Sequence, residues 1–575
     1  MKTFTAHPQR AARSKSLLFP YAAIFVLVVT VYVNTAGYGF VFDDFAGILN
    51  EHIIASAASL SQAVRLLGEP WRALTQLSYA LTINLAGTGP LAFHITNVLI
   101  HALNSLLVFG IARQVAWFWI PTTKRELFAL AAASIHAVHP LYSEGVAYVW
   151  GRSSSLCASF YFASVLLVMA GYRSEQHRKR YLWYCLALLS GLLAWKTKEE
   201  AITLPLAIAG FFALVGCWRA AAGMVLIPAG LIAGRWTDIV NLAVNVRENQ
   251  PLVSVGEAPA LDRISYALTY LKALVLYYLR MFVLPLNQNV DPYIEPVTKV
   301  LDPLFLVSVT VVIMLVVWGV VSARRNRAIS FGLVALLVSP LLAYLFMPLP
   351  DVVAEHRIYI AGLGFDLLLA SLLTRSGRYG LPIVSALVLL LGLMTVQRNQ
   401  VWSNSLTLWK DAEQKSPNSA RPHLNLGLAY QSAGSSDGAV NEYWHALSIN
   451  PKLTAAYVNL AGIYFARNDF SSAESVLKRA AALSPSLPET YIDLAVIALR
   501  RNRAAEALEL LDKAGALDDS YSVHLYRGDA FAQLDRAEDA RREYEQAIKV
   551  RPDLSDLKAQ VAERVQKLRQ KAAIR

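Results

Sequence analysis

Apolar residues in this chain fall in long unbroken runs, separated by short polar loops, as far as residue 397. A helix needs roughly 20 apolar residues to cross a bilayer. By that measure eleven stretches read as membrane-crossing helices, near 17–36, 92–115, 128–142, 154–171, 181–195, 200–217, 220–235, 301–321, 329–348, 357–374 and 380–397. The stretch 264–285 is ambiguous, because Lys272 and Arg280 interrupt it. Beyond 397 the pattern turns charged and alanine-rich. The predicted fold is all-α, with a tail at 1–16, a polytopic membrane domain at 17–397, a soluble helical solenoid at 398–560 and a helical tail at 561–575.

The solenoid is read from a repeat. RPHLNLGLAYQSAGSSDGAVNEYWHALSINP aligns with AAYVNLAGIYFARNDFSSAESVLKRAAALSP. Gly427 recurs as Ala461, Ala495 and Gly528; Ala439 as Ala473, Ala507 and Ala540; Ala446 as Ala480, Ala514 and Ala547. The step is 34 residues twice, then 33, and Pro451, Pro485 and Pro552 end units, with Asp519 in place of the third proline. Small residues let two helices of a unit pack closely and proline stops the second, which is the tetratricopeptide pattern. A partial unit, SLTLWKDAEQKSP, precedes the array with Ala412 and Pro417 in register and joins it to the last apolar stretch. Such arrays present a concave surface to peptides or proteins.

Composition supports the membrane reading: 55% of residues are hydrophobic, 16% are charged and the mean hydropathy is +0.40. The net charge of +12 does not indicate nucleic-acid binding, because the basic residues sit in short loops between apolar runs, as the positive-inside rule requires. The three cysteines, Cys157, Cys185 and Cys217, lie in apolar stretches and read as packed thiols. Lys2, Arg10, Arg13 and Lys15 place the N-terminus in the cytoplasm, ahead of an uncleaved first helix. If 264–285 lies in the interface or re-enters, the basic loops at 124–125, 173–180, 324–327 and 375–378 all face inward. The repeats then lie outside, on the same side as Asp43 and Asp44.

Four polar clusters share that outer side. FVFDD ends at Asp44; HPLYSEGVAYVWGR holds His139, Glu144 and Arg152; KTKEE holds Lys198 and Glu199; AEHRIY holds Glu355, His356 and Arg357. One such cluster is ordinarily a solvated helix end, but four of both signs on one face make a candidate site. His94, Asn97, His101 and Asn104 add a polar stripe on one helix face, equally suited to interhelical hydrogen bonds and to a cavity wall. His136 and His139 have metal-ligand spacing, which Pro140 breaks.

Acids outside, cations beside them and a lipid-embedded body fit glycosyl transfer from a lipid-phosphate sugar. The phosphate leaves as an anion and needs cations, for which Arg offers a two-pronged match. The acceptor hydroxyl must lose a proton, so a carboxylate base is required within reach. The second acid orients the acceptor, raises the base's pKa or holds a divalent metal, and these alternatives stay open.

With FVFDD, FHITNVLIHALN (93–104), HPLYSEGVAYVWGR, KTKEEAIT, AEHRIYIAGLGF, the tryptophan-bearing lead-in at 402–409 and the repeats, the chain resembles the transmembrane and tetratricopeptide repeat-containing O-mannosyltransferases and their bacterial relatives along nearly its whole length. The resemblance implies a GT-C membrane fold. It implies transfer of a sugar, often mannose, from a polyprenyl- or dolichyl-phosphate donor to Ser or Thr of proteins. Asp44 is the expected base and Asp43 its partner. Arg357 and His356 are expected to hold the phosphate, with Lys198 and Arg152 as lesser candidates, while Glu144, His139, His94, His101, Asn97 and Glu199 line the site. No cofactor beyond the lipid donor is called for, apart from the open metal. The array, four full repeats and a partial one, is short for the animal proteins, and no cysteine lies outside the apolar stretches. Both features suit an inner-membrane bacterial protein with its active face toward the periplasm. Two other readings are a GT-C enzyme acting on an envelope glycan or lipid, and a non-enzymatic membrane-anchored repeat scaffold.

Overall fold

The computed structural model describes residues 18–69, 72–234, 263–343 and 351–574. Every regular element among the described residues is helical. They form two compact units that divide between Ser416 and Pro417.

In the first unit each of the eleven apolar stretches falls largely on helix, although 17, 235 and 344–348 lie outside the described residues. Among the described residues five helices are long and apolar enough to cross a membrane: Leu18–Gly37, Pro90–Trp119, Arg152–Arg173, Pro303–Arg325 and Gly362–Val401. The last runs for 40 residues and is broken at Gly377, whose backbone (φ 58°, ψ −127°) no helix accommodates. Trp218–Ile227 and Arg327–Leu341 are shorter apolar helices. The chain is thus a multi-pass membrane protein. The short helix Arg125–Val138 sits at the centre of the unit, packed against Leu18–Tyr32, Pro90–Trp119, Gly362–Leu373 and Gly380–Val401. Its alanines Ala129, Ala131, Ala132, Ala133 and Ala137 are fully buried, and such small residues permit close helix approach. It stops at Val138 because Pro140, two residues on, has no N–H to continue the ladder.

The ambiguous stretch forms one interrupted helix. Arg263–Ala273 passes into a π-turn at Leu274–Leu279 and resumes as Arg280–Val283. Of the two charges that interrupt it, Arg280 is exposed and Lys272 is buried: Lys272 Nζ donates to the Glu295 carbonyl at 3.2 Å and lies 3.4 Å from Asp302. A π-turn re-aims the side chains it carries and recurs at functional sites. Here it presents Tyr277 and Tyr278 to residues 354 and 355.

In the second unit four helix pairs follow one another: Ala420–Ser432 with Ser436–Ile449, Thr454–Ala466 with Phe470–Leu483, Pro488–Arg500 with Ala504–Leu517, and Tyr521–Gln533 with Ala537–Val550. A further helix, Ser555–Ile574, follows. The repeated alanines are buried, and a Cβ on Gly427 or Gly528 would strike the ring of Tyr443 or Tyr544 in the partner helix. Each intra-repeat turn has one residue in the left-handed region: Gly434 (φ 80°), Asn468 (59°), Asn502 (58°) and Asp535 (61°). Gly, Asn and Asp tolerate that conformation best, so the turn is written into the repeat alongside the small residues.

Candidate active site

The acid pair sits in a strained turn. Phe42, just before it, has φ 53°, which costs a non-glycine residue about 1–2 kcal/mol. Ring packing holds it there, with Trp409 edge-on at 5.2 Å and Tyr148 stacked at 6.1 Å. The two acids then part company. Asp44 is fully buried; its Oδ1 accepts the Trp150 N–H at 2.7 Å and its Oδ2 the Val41 N–H at 3.0 Å. Burial pushes its carboxyl up to about 7 against those two donors. Asp43 is exposed and accepts the Tyr148 hydroxyl at 3.0 Å. A divalent ion at this pair would therefore meet Asp43 as its accessible carboxylate.

The segment from Ser143 to Tyr148 bridges this turn to the cations. Tyr148 reaches Asp43, and four residues earlier Glu144 reaches AEHRIY. Glu144 Oε1 and His356 Nδ1 lie 2.6 Å apart, and Glu144 Oε2 accepts the Glu355 N–H at 2.9 Å. Glu355 is buried as well. It accepts the Tyr277 hydroxyl at 2.6 Å and the Gln288 amide at 3.0 Å, with the Arg398 guanidinium at 3.6 Å. Burial lifts both carboxyls to about 7, although Arg398 opposes it in each case.

His356 is pushed well below the ordinary imidazole range by burial and then by the positive charges of Lys198, Arg357 and Arg72. Three cations therefore crowd one neutral imidazole, an arrangement suited to an anion. Arg357 donates to the Asp351 carbonyl at 2.5 Å. Lys198 donates to Ser154 Oγ at 2.7 Å and pairs with Glu200. Arg72 forks onto Glu199, with contacts of 2.6 and 3.3 Å. Burial pushes the Glu199 carboxyl up, yet Arg72 and Lys198 outweigh it and hold it at about 2.

Of the sequence-predicted residues, Asp43, Glu144, His356, Arg357, Lys198 and Glu199 gather in this region. Arg152 does not offer its guanidinium to it. It is fully buried and donates to Asn97 Oδ1 (2.7 Å), the Ser78 and Phe93 carbonyls (3.2 and 3.1 Å) and Thr82 (3.1 Å), beneath the Tyr79 ring. The polar stripe forms interhelical hydrogen bonds. Asn97 donates to the Val146 carbonyl at 3.1 Å, His101 lies 2.5 Å from the Tyr359 hydroxyl, and Asn104 donates to the Ser155 carbonyl at 2.8 Å. His94 is buried edge-on to Tyr38. His136 and His139 diverge, the first to Asp366 at 2.8 Å and the second to the Phe282 carbonyl at 3.0 Å. Among the described residues the His/Glu group with metal-holding composition, His423, Glu442 and His445, lies in the repeat unit.

Sequence reasoning missed Arg72, Tyr148, Tyr277, Gln288 and Arg398. Arg398 carried a signal, as a cation at the very end of an apolar stretch. Asp411 accepts from Arg398 at 3.1 Å, so the lead-in helix Ser405–Lys415 also braces this network.

The fold and these clusters define a multi-pass helical membrane protein that carries a tetratricopeptide array. The tetratricopeptide repeat family matches residues 465–522. The protein O-mannosyl-transferase F38B6.6 of Caenorhabditis elegans is 25% identical over 448 residues, covering 74% of this chain and 62% of the worm protein. Human protein O-mannosyl-transferase TMTC3 is 25% identical over 500 residues, 76% of this chain and 52% of its own. Drosophila melanogaster Tmtc1 reaches 32%, over 188 residues that make up 31% of this chain and 21% of the fly protein. Among solved structures, the thermophilic repeat protein TTC0263 of Thermus thermophilus aligns with a TM-score of 0.26 at 20% identity, covering 31% of this chain and 94% of that one. The chain is a relative of the TMTC-type protein O-mannosyl-transferases, and its match spans between half and two thirds of the first two relatives' length.

Proposed function

We propose that this protein is a membrane-embedded inverting mannosyltransferase. It moves mannose from a polyprenyl-phosphate donor to Ser or Thr hydroxyls of proteins on the outer face. The observation that carries the reading is the bridge from Ser143 to Tyr148, which joins an exposed acid, Asp43, to a cluster of three cations around His356.

Asp43 is the general base. It is the exposed member of the pair, and Tyr148 orients it by hydrogen bonding to one oxygen. Asp44 shapes the turn, because both its oxygens are engaged by backbone N–H groups. Arg357 and Lys198 face the donor phosphate, and Glu144 fixes the ring of His356 through Nδ1. As the acceptor oxygen attacks the anomeric carbon, Asp43 takes its proton. The bond from that carbon to the phosphate oxygen breaks, and the lipid phosphate departs with the electron pair, stabilised by the cations. Attack opposite the leaving group inverts the anomeric centre. The repeat array recruits acceptor proteins, as concave helical arrays do. The relatives that match about three quarters of the chain are named protein O-mannosyl-transferases, which supports mannose and a protein acceptor.

The test uses the full chain in nanodiscs with polyprenyl-phosphate mannose and a mixture of envelope proteins. Transfer by wild type that is lost in both Asp43→Asn and Arg357→Ala is the expected result. Transfer that survives both substitutions overturns the site, and folded wild type that transfers no sugar from any of several lipid-phosphate donors overturns the activity.

A further inference from the structure

We propose that Arg72 is a further ligand of the donor phosphate and that Glu199 is its built-in competitor, a carboxylate that occupies the guanidinium between turnovers and helps expel the phosphate product. This rests on the transferase reading above and deepens it.

Four observations converge. Arg72 and Glu199 form a two-pronged pair, the 2.6 and 3.3 Å contacts using two guanidinium nitrogens and both carboxylate oxygens. A phosphate presents the same two-oxygen edge to that fork, so one anion can replace the other without moving the arginine. Second, Arg72 is held in place rather than trailing from a surface helix. Its backbone is in the left-handed region (φ 49°, ψ 32°), and three residues on, Thr75 donates to the Thr197 carbonyl at 3.0 Å, pinning the helix start to the segment that carries Glu199. Third, the Arg72 charge bears on His356 together with Lys198 and Arg357, so the pair belongs to the cation cluster. Fourth, the arginine side chain is 32% exposed and its partner 14%, so an incoming anion can reach the pair.

The need for a competitor follows from the chemistry. The donor is a phosphodiester with one negative charge. When its sugar–oxygen bond breaks, the sugar carbon passes to the acceptor oxygen, the acceptor proton passes to Asp43, and the lipid keeps a monoester of about −1.5 to −2 charge at pH 7. A site built only of cations would hold that product more tightly than the donor and slow turnover. Glu199 stays ionised through this range, since Arg72 and Lys198 overcome its burial and hold it at about 2. Its recapture of Arg72 removes one ligand from the product.

The experiment measures binding of farnesyl monophosphate, a short prenyl phosphate monoester, to the full chain in nanodiscs, alongside steady-state transfer with added farnesyl monophosphate as inhibitor. Arg72→Ala is expected to weaken binding by roughly ten-fold or more, the worth of a hydrogen bond to a charged group. Glu199→Gln is expected to tighten binding several-fold, deepen product inhibition and lower kcat with a reduced donor KM. The double variant is expected to lie close to Arg72→Ala, because both side-chain hydrogen bonds of Glu199 come from the arginine. Arg72→Lys keeps the charge without the fork and serves if the alanine variant does not fold. If Glu199→Gln weakens binding, or both single variants bind within two-fold of wild type while Arg357→Ala binds poorly, this inference fails and the transferase reading stands. If folded wild type binds no farnesyl monophosphate, both fall.

Discussion

Asp43 and Asp44 are adjacent in sequence, and their substitution should separate catalysis from stability. In Asp43→Asn the side chain lies at the surface, and an amide oxygen can still accept the Tyr148 hydroxyl that donates to the carboxylate. Stability should stay within about 0.5 kcal/mol, as for surface substitutions. Transfer should fall by roughly 10²–10⁴, the contribution of a general base. In Asp44→Asn the carboxylate is replaced where two backbone N–H groups, of Val41 and Trp150, point at its two oxygens. The amide offers one oxygen, so one of these donors faces an NH₂ group. The loss is one hydrogen bond to a charged acceptor, about 1.5–3 kcal/mol, plus one unsatisfied buried donor, about 1–3 kcal/mol. A total of about 2.5–6 kcal/mol is expected, before the strain at Phe42 is released as the turn loosens. Thermal unfolding in nanodiscs, followed by tryptophan fluorescence, measures the second quantity, and Trp150, Trp402 and Trp409 lie within or near the turn's packing. Radiolabelled mannose transfer measures the first. The reasoning is refuted if Asp44→Asn melts with wild-type Tm, or if Asp43→Asn keeps more than a tenth of wild-type transfer.

Three further outcomes follow from particular contacts. Arg152→Lys keeps the charge but cannot span Asn97, Thr82 and two carbonyls, so it should destabilise by about 3–5 kcal/mol while leaving the donor KM of the folded fraction unchanged; a raised KM at wild-type Tm would make Arg152 a phosphate ligand instead. Glu144 and Glu355 are lifted to about 7 by burial, so they bind more protons folded than unfolded between about 4.5 and 7. Their contribution to stability is full below that window and falls as pH rises through it, so wild-type Tm should gain more than that of Glu144→Gln on going from pH 7.5 to 5.5; equal or smaller gains would show that the pair does not titrate there. Gly528→Val drives a branched side chain into the Tyr544 ring, which should cost about 1–3 kcal/mol and open the helices Tyr521–Gln533 and Ala537–Val550 to limited proteolysis; cleavage kinetics equal to wild type would refute that packing.

Features written in local periodicity were legible in the sequence. A run of about 20 apolar residues needs no partner to be recognised, because the bilayer is its solvent. The repeats were equally readable, since each small position must admit the neighbouring helix of its own unit, as Gly427 admits Tyr443 and Gly528 admits Tyr544. The polar stripe was visible too, but not its meaning: spacing puts His94, Asn97, His101 and Asn104 on one face, and only their partners, such as Tyr359 and the Val146 carbonyl, show three of them spent on helix contacts. Arg152 and Arg357 look alike as outer-loop arginines in conspicuous motifs. The first is sealed under Tyr79 by four acceptors, and the second bears on His356 together with Lys198 and Arg72. Arg72 had no motif of its own and is drawn to the cluster by a partner 127 residues away. What the sequence determined by itself is which segments are helical, which are apolar enough for lipid and where the repeats fall, because these depend on a residue's neighbours along the chain. Which of two adjacent acids faces solvent, and which cations share one imidazole, was decided by the tertiary structure alone, because burial and charge fields belong to neighbours in space.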